Sequence, residues 1–477
     1  MEQPTHTPKQ FDVAVIGSGP GGYPAAIKAA QNGKTVALIE ANEMGGTCLN
    51  RGCIPSKTLI ASAEVLHKIQ DAEELGIVVG SVQFDYSKMV DRKDQVVGKI
   101  RKSLEGLIAA NKITVFHGYG RFVSPRAIKV IGEDNVEIFA DTVIIATGSE
   151  PRNIPAFPFD FKKIHSSTSL LELRELPKKL VIVGGGVIGC EFASLYAILG
   201  VEVTIVEMMP RIIPMESEAI SIALTKAFEK KGIKIDTNVV VEQIDTSGKG
   251  VKVKLAGGKS ISADIALVAV GRKLNTSDIG LNKAGVLVQD SGMIPVNDQM
   301  ETNVPGIYAI GDIASKWWLA HVATHQGLVA ANNATGHPMR MNYNAIPSVI
   351  FTKPEIASVG LSLSQALEKG YRATLGTFPF QALGKSQTAL QTDGFAQIVL
   401  DKTTGQVLGA QVVGYEASSM IAEMAIVIAN ELTVECITET IHAHPTIAEA
   451  WMEAAFIGAD TPLHWPPKPA KIAASKV

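Results

Sequence analysis

Cysteine is scarce, with four residues in a chain of 477. A secreted scaffold stapled by disulfides would need many more, so that class is excluded. Long apolar runs are also missing. The best, LVIVGGGVIGC, stops at Glu191, short of the ~18 residues that a membrane span requires. The opening segment, MEQPTHTPKQFDVAVIG, lacks a basic stretch followed by an apolar core, so no signal peptide is read. Neither sign of charge dominates: 44 basic and 47 acidic side chains leave a net charge of −3. A protein that binds by neutralising phosphates should be basic, which argues against nucleic acid as a partner. The expectation is a soluble, cytoplasmic protein with no membrane or nucleic-acid contacts.

Glycine, by contrast, is plentiful, at 43 residues without a collagen period. That points to turns where backbone comes close to a ligand or to another chain segment. FDVAVIG reads as a buried strand, YPAAIKAAQNG as a helix closed by Gly33, and KTVALIE as the next strand. Between the first strand and the helix stand Gly17, Gly19 and Gly22 in GxGxxG spacing, and Glu40 ends the second strand. A lone GxGxxG is weak. The flanking strand, helix and acid make it a dinucleotide site, with N–H groups facing a pyrophosphate at the positive helix end and Glu40 accepting from ribose hydroxyls.

The unit recurs in KLVIVGG, EFASLYAILG and VEVTIVE, with Gly184, Gly186, Gly189 and Glu207 in the matching places. A carboxylate at Glu207 accepts from a 2′-OH and repels a 2′-phosphate. Met208 and Met209 follow it, not arginines, so NAD(H) is expected over NADP(H).

The chain therefore reads as α/β, with two Rossmann-like dinucleotide-binding domains and a C-terminal α+β domain. The boundaries fall at 1–150, 151–275, a central segment 276–345, and 346–477. A charged helical stretch over about 55–112 is expected to bury a face through Val65, Ile69 and Ala72. A further helix is expected over Met420–Glu431. The Pro- and Lys-rich tail, TPLHWPPKPAKIAASKV, is expected to pack poorly.

The strongest local signal is GGTCLNRGCIPSK, from Gly45 to Lys57. It is no zinc knuckle, because Cys190 and Cys436 stand alone and no paired histidines follow at ligand spacing. No metal is expected. In an ideal helix, Cys48 and Cys53 would be roughly 8.6 Å apart, beyond disulfide reach. A bridge would require the helix to break, and Gly52 and Pro55 are placed to allow it. Two readings follow. One is a short bridge suited to redox cycling; the other is two unconnected core cysteines.

The segment resembles the active site of the pyridine nucleotide–disulfide oxidoreductases. The resemblance extends over nearly the whole chain, through ATG at 146–148, Gly271-Arg272, YAIGD at 308–312, IFTKPEIASVG at 350–360 and IHAHPTIAE at 441–449. It implies FAD on the first fingerprint and NAD on the second. It implies that Cys48 and Cys53 form the redox-active disulfide. It implies that Thr147, Gly148, Asp312, Ala320 and His321 flank FAD, and that Gly271 and Arg272 serve NAD. Lys57 would sit by the flavin and pair with Glu191. The C-terminal domain would form a homodimer and supply His444 as base, oriented by Glu449, to the other subunit. The implied activity oxidises dihydrolipoamide on lipoyl domains of 2-oxo acid dehydrogenase complexes or the glycine cleavage system. A glutathione- or mercuric-reductase-like activity, or a non-catalytic flavin-binding subunit, are the alternatives.

Three local readings compete with these roles. Thr446-x-x-Glu449 is also a capping-box pattern. His442 is a rival base two residues before His444. His321 and His325 are spaced i, i+4, but no third ligand accompanies them. Two stretches depart from the family: Trp317-Trp318 with Thr324-His325-Gln326, and Gly384-Lys385-Ser386.

Overall fold

The computed structural model describes residues 9–467. The expectations for the first eight residues and for 468–477 lie outside these described residues. The chain divides into two compact units, residues 1–183 with 198–201 and 241–342, and residues 184–197 with 202–240 and 343–477.

The first unit opens with β1 (Lys9–Ile16), α1 (Gly22–Gln31) and β2 (Val36–Glu40). Two helices, α2 (Gly46–Arg51) and α3 (Cys53–Gln70), carry the cysteine motif, and α4 (Tyr86–Ala110) follows. Strands β3 (Thr114–His117), β4 (Tyr119–Ser124), β5 (Ala127–Ile131) and β6 (Val136–Ile145) complete one sheet in the order β3-β2-β1-β6-β5-β4. β1 pairs in parallel with β2 and β6, as a doubly wound sheet requires. The late strand Ile307–Ala309 pairs in parallel with β6, so the central segment returns to the first sheet. The buried strands read as continuous Val, Ile and Ala because both faces are covered, one by α1 and the helix Ala320–Ala334, the other by β4, where a Cβ on Gly120 would lie 3.1 Å from the Ile16 side chain.

Helix α1 buries Ala25, Ala26 and Ala29 and packs on the helix Ala320–Ala334. The approach is close: a Cβ on Gly327 would lie 2.3 Å from the Gly21 carbonyl oxygen. The expected 55–112 helical stretch is broken at 71–85. Its buried face differs in part from expectation. Leu59, Ala63 and Leu66 are inside, whereas Val65 is 58% exposed and Ile69 half-buried; Ala72 is buried as expected, but beyond the end of α3. Within α3, Val65 and Ile69 are displaced around the helix from the row that meets α4. Asp85 caps α4 by accepting from the Lys88 N–H at 3.2 Å, worth about 1 kcal/mol.

The second unit contains α5 (Val187–Ile198) and a parallel pair, β7 (Glu202–Val206) with β8 (Lys234–Asp236). It also contains an antiparallel sheet of β9 (Ser348–Ile350), β10 (Glu355–Gly360), β11 (Ala373–Pro379), β12 (Phe395–Asp401) and β13 (Val407–Gly414). The order is β9-β10-β13-β12-β11. Helices α6 (Ala417–Ala429), α7 (Val434–Thr438) and α8 (Glu449–Gly458) cover it. Trp451 is fully buried in this core, and its Nε1–H donates to the Met420 carbonyl at 3.2 Å. The described end of the tail is held, contrary to expectation. Trp465 packs edge-on against Phe378, and His464 bonds to Glu453 at 2.7 Å.

Candidate active site

The three glycines of the first fingerprint have separate jobs. Gly17 sits at φ +101°, where only glycine is unstrained, and a Cβ there would lie 2.4 Å from the Ala146 oxygen. A Cβ on Gly22 would be 1.8 Å from the Gly17 oxygen, so helix and strand can meet only with glycine. Gly19 faces space, with nothing nearer to a built Cβ than Gly46 Cα at 4.0 Å. In the second loop Gly184 has φ +106°, and Gly186 has no neighbour within 4 Å of its built Cβ. Tight turn, open approach and close packing are the three requirements of a pyrophosphate loop; the first loop meets all three, and the second shows the turn and the open approach.

Glu40 is buried. Its Oε2 accepts from the Ser18 N–H at 2.9 Å and hydroxyl at 2.6 Å, and its Oε1 from Asn42 N–H at 2.8 Å. A carboxylate offers about four lone-pair directions, so a ribose hydroxyl can still be accepted. Glu207 is arranged alike: Oε2 takes the Gly185 N–H at 2.6 Å and Oε1 the Met209 N–H at 2.7 Å. Each acid therefore also braces its own glycine loop.

Ser18 links the first loop to the cysteine motif, because its hydroxyl accepts the Gly45 N–H at 3.0 Å. A Cβ on Gly46 would lie 2.6 Å from Gly19 Cα. The motif is thus packed directly on the first dinucleotide loop. Between the cysteines the helix does break, at Gly52 (φ −143°, ψ −107°), which separates α2 from α3. Pro55 sits in the first turn of α3, where its missing N–H costs nothing. Both cysteines are thiols in this structure. The hydrogen bond to the Cys53 sulfur pushes the Cys48 thiol well above its ordinary range, burial and the Cys53 charge add to this, and Lys57 opposes it.

Thr147 and Gly148 are fixed by Asn275. The Thr147 hydroxyl donates to the Asn275 oxygen at 2.7 Å, and the Asn275 N–H donates to the Gly148 oxygen at 2.9 Å. Asp312 accepts from the Ser149 hydroxyl. Arg272, expected beside NAD, joins that cluster. Its Nε donates to Ser149 Oγ and its Nη2 to the Ser149 oxygen, both at 2.6 Å. Burial pulls the guanidinium down from its ordinary value, and the negative charges of Asp312 and Cys53 resist this. Ala320 starts its helix, with His321 on the exposed side. The unusual residues nearby are structural: the Thr324 hydroxyl donates to the Pro20 oxygen at 2.8 Å, and buried Gln326 accepts the Gly311 N–H at 2.8 Å. Among the described residues no group of three His, Cys, Asp or Glu is arranged to hold a metal ion.

In the second unit, Glu191 on α5 accepts the Phe351 N–H at 3.0 Å, and Ser194 accepts the Lys353 N–H at 2.9 Å. The rival histidines separate. His442 is almost wholly buried, bonded to Glu423 at 3.1 Å and to the Thr440 oxygen at 3.0 Å. The His444 ring is 77% exposed, and its Nδ1 lies 2.8 Å from Glu449 Oε1.

Sequence reasoning missed Ser18, Ser149 and Asn275. Serine and asparagine are too common for their types to signal a role, and each acts on a residue far away in sequence.

Thiol pair, flavin-type loop and imidazole–carboxylate pair together define a disulfide oxidoreductase that works with dinucleotides. Residues 11–327 match the pyridine nucleotide-disulphide oxidoreductase family, and residues 346–455 match that family's dimerisation domain. The chain belongs to this family. It is 53% identical over 460 residues to the dihydrolipoyl dehydrogenase of Chlamydia pneumoniae, covering 96% of this chain and 99% of the relative. It is 41% identical to that of Geobacillus stearothermophilus, covering 95% and 97%. Among solved structures, LpdA from Mycobacterium tuberculosis superimposes with a TM-score of 0.88 at 28% identity, covering 94% and 99%. The HOCl-induced flavoprotein disulfide reductase RclA from Escherichia coli gives 0.83 at 28%, covering 92% and 98%. No helix among the described residues is long and apolar enough to cross a membrane.

Proposed function

We propose that this chain is a dihydrolipoyl dehydrogenase, a homodimeric FAD- and NAD-dependent enzyme. It oxidises the dithiol of protein-bound dihydrolipoamide to a disulfide, reduces NAD⁺ to NADH and releases one proton. The lipoyl domains of 2-oxo acid dehydrogenase complexes or of the glycine cleavage system are its proposed partners, and the cytoplasm its proposed setting.

The observation that carries the reading is the hydrogen-bonded thiol pair at the Gly52 break, packed on the first dinucleotide loop. In the oxidised enzyme, His444 Nε2 takes a proton from a substrate thiol. The resulting thiolate attacks Cys48, the Cys48–Cys53 bond breaks, and Cys53 leaves as a thiolate. The positive charge of Arg272 reaches Cys53 and favours that leaving group. The second substrate sulfur then attacks the first, closes the lipoyl disulfide and expels Cys48, which takes up a proton. FAD, when bound, supplies the two-electron link from the dithiol to NAD⁺. Gly17, Gly19, Gly22, Glu40, Thr147, Gly148 and Asp312 would hold it, and Gly184, Gly186, Gly189 and Glu207 would hold NAD. Lys57 is proposed to pair with Glu191, and each His444 to serve the partner's cysteines.

The test sets NAD⁺ reduction by dihydrolipoamide against NADPH oxidation by oxidised glutathione. The reading requires the first to exceed the second by orders of magnitude, and a dominant glutathione activity overturns it.

A further inference from the structure

One helix carries two histidine–carboxylate pairs of the same construction. In the first, Glu449 Oε1 binds His444 Nδ1 at 2.8 Å while Oε2 accepts a backbone N–H from Thr446 at 2.8 Å. In the second, Glu453 Oε1 binds His464 Nδ1 at 2.7 Å while Oε2 accepts the His464 N–H at 3.3 Å. Glu449 and Glu453 are i, i+4 on α8, so the carboxylates are neighbours on one face. Glu453 is 3% exposed, whereas the His464 ring is 74% exposed. A carboxylate that deep needs a partner to remain charged. The proposed reaction uses neither residue of this second pair.

We propose that Glu453 and His464 are positioning residues: each compensates the other's charge, and so keeps a net charge away from the adjacent Glu449 and sets the basicity of His444. This rests on the reading of His444 as the base. The surroundings leave few other sources of field. Helix α8 packs on β11, β12 and α7, whose titratable groups are Asp401, Glu435 and Cys436. Asp401 is engaged by Thr403 and Thr404, and Glu435 by Thr433. On α6, Glu423 is taken by His442. The hydrogen bond and charge of Glu453 raise the affinity of His464 for its proton, and Glu449 adds to this. The second pair therefore stays ionised above the usual imidazole range, with a net charge near zero. Removing either partner changes that net charge in opposite senses.

The experiment measures the acid limb of the kcat/KM profile for dihydrolipoamide with NAD⁺, using the full holoenzyme. His464→Asn keeps a donor at the Nδ1 position but leaves Glu453 without a counter-charge. His444 should then hold its proton more tightly, and the limb should rise by about 0.3–1 pH unit, the order expected for one uncompensated charge acting through a partly solvated site. Glu453→Gln leaves His464 able to carry an uncompensated positive charge, so the limb should fall or stay. A merely structural anchor for the tail would lower stability in both variants and move neither limb. Unshifted limbs, or shifts of one sign in both, overturn the proposal. If either variant fails to fold, NMR titration of the wild-type enzyme decides. The His444 ring resonances should show a second inflection at the His464 midpoint, and a single inflection overturns the proposal. His444→Gln is the control for the underlying reading. If it retains full activity, His444 is not the base; if it is inactive and the other limbs do not move, only the present proposal falls.

Discussion

His444 Nδ1 lies 2.8 Å from Glu449 Oε1, and the other oxygen of that carboxylate holds the Thr446 backbone N–H. The helix begins at Glu449 with Ala448 as its N-cap, so the capping-box reading fails, although Glu449 still serves both the turn and the imidazole. One oxygen organises the turn, while the other fixes the imidazole orientation. The Thr446 hydroxyl does not complete a capping box, because it donates to the Ala443 oxygen. This division of labour predicts graded defects. His444→Gln should lose about 10²–10⁴-fold in kcat/KM for dihydrolipoamide, the usual worth of a general base. Glu449→Gln should lose less, since the imidazole remains. Steady-state rates at fixed pH check both, and equal losses would contradict the orienting role.

Glu207 should govern coenzyme choice. The wild-type enzyme should prefer NAD(H), and Glu207→Ala should narrow its preference over NADP(H) by removing a carboxylate that repels the 2′-phosphate. The same change leaves the Gly185 and Met209 N–H groups without their acceptor, so KM for NAD⁺ should also rise. Equal wild-type kcat/KM with both coenzymes would show that Glu207 does not face the ribose.

His165 should make the fold acid-sensitive. It is 1% exposed, its Nε2 has no hydrogen-bond partner, and burial lowers its proton affinity. The unfolded chain binds the proton first, near pH 6.5. Stability is therefore full above that value and falls as pH drops toward the lower folded value, by about 1.4 kcal/mol per pH unit at most. Denaturant midpoints between pH 7 and 5 should slope less in His165→Gln. An unchanged slope would show that other groups set it.

The proposed sharing of the site between subunits predicts complementation. Cys48→Ser and His444→Gln homodimers should each be nearly inactive with dihydrolipoamide. Co-refolded mixed dimers have one site with both defects and one with neither, so about half the activity per dimer should return. Mixed dimers that form and stay inactive would place both residues in one chain's site.

Much of this was legible because tight backbone packing leaves a glycine signature. Gly17 and Gly22 are required by contacts below 3 Å, and the break at Gly52 followed from cysteine spacing and helix geometry. The choice between His442 and His444 was not local, since it depends on Glu423, which lies on another helix. Arg272 stands close in sequence to the second dinucleotide unit, yet strand pairing carries it to Ser149 and Asp312. Val65 was misplaced because the charged helix offers more than one apolar row, and only the partner helix decides which is buried. Trp465 and His464 looked like tail because proline-rich composition says nothing of a buried carboxylate waiting on α8.

The central claim is that Cys48 and Cys53 carry the electrons from dihydrolipoamide to NAD⁺. The most direct test measures NAD⁺ reduction by dihydrolipoamide, and NADH oxidation by ferricyanide, in wild type, Cys48→Ser and Cys53→Ser. The account predicts that each serine variant loses at least about 10³-fold in the first reaction, because thiol–disulfide exchange needs both sulfurs, and keeps the second, which bypasses them. A serine variant that still oxidises dihydrolipoamide at a wild-type rate would contradict it.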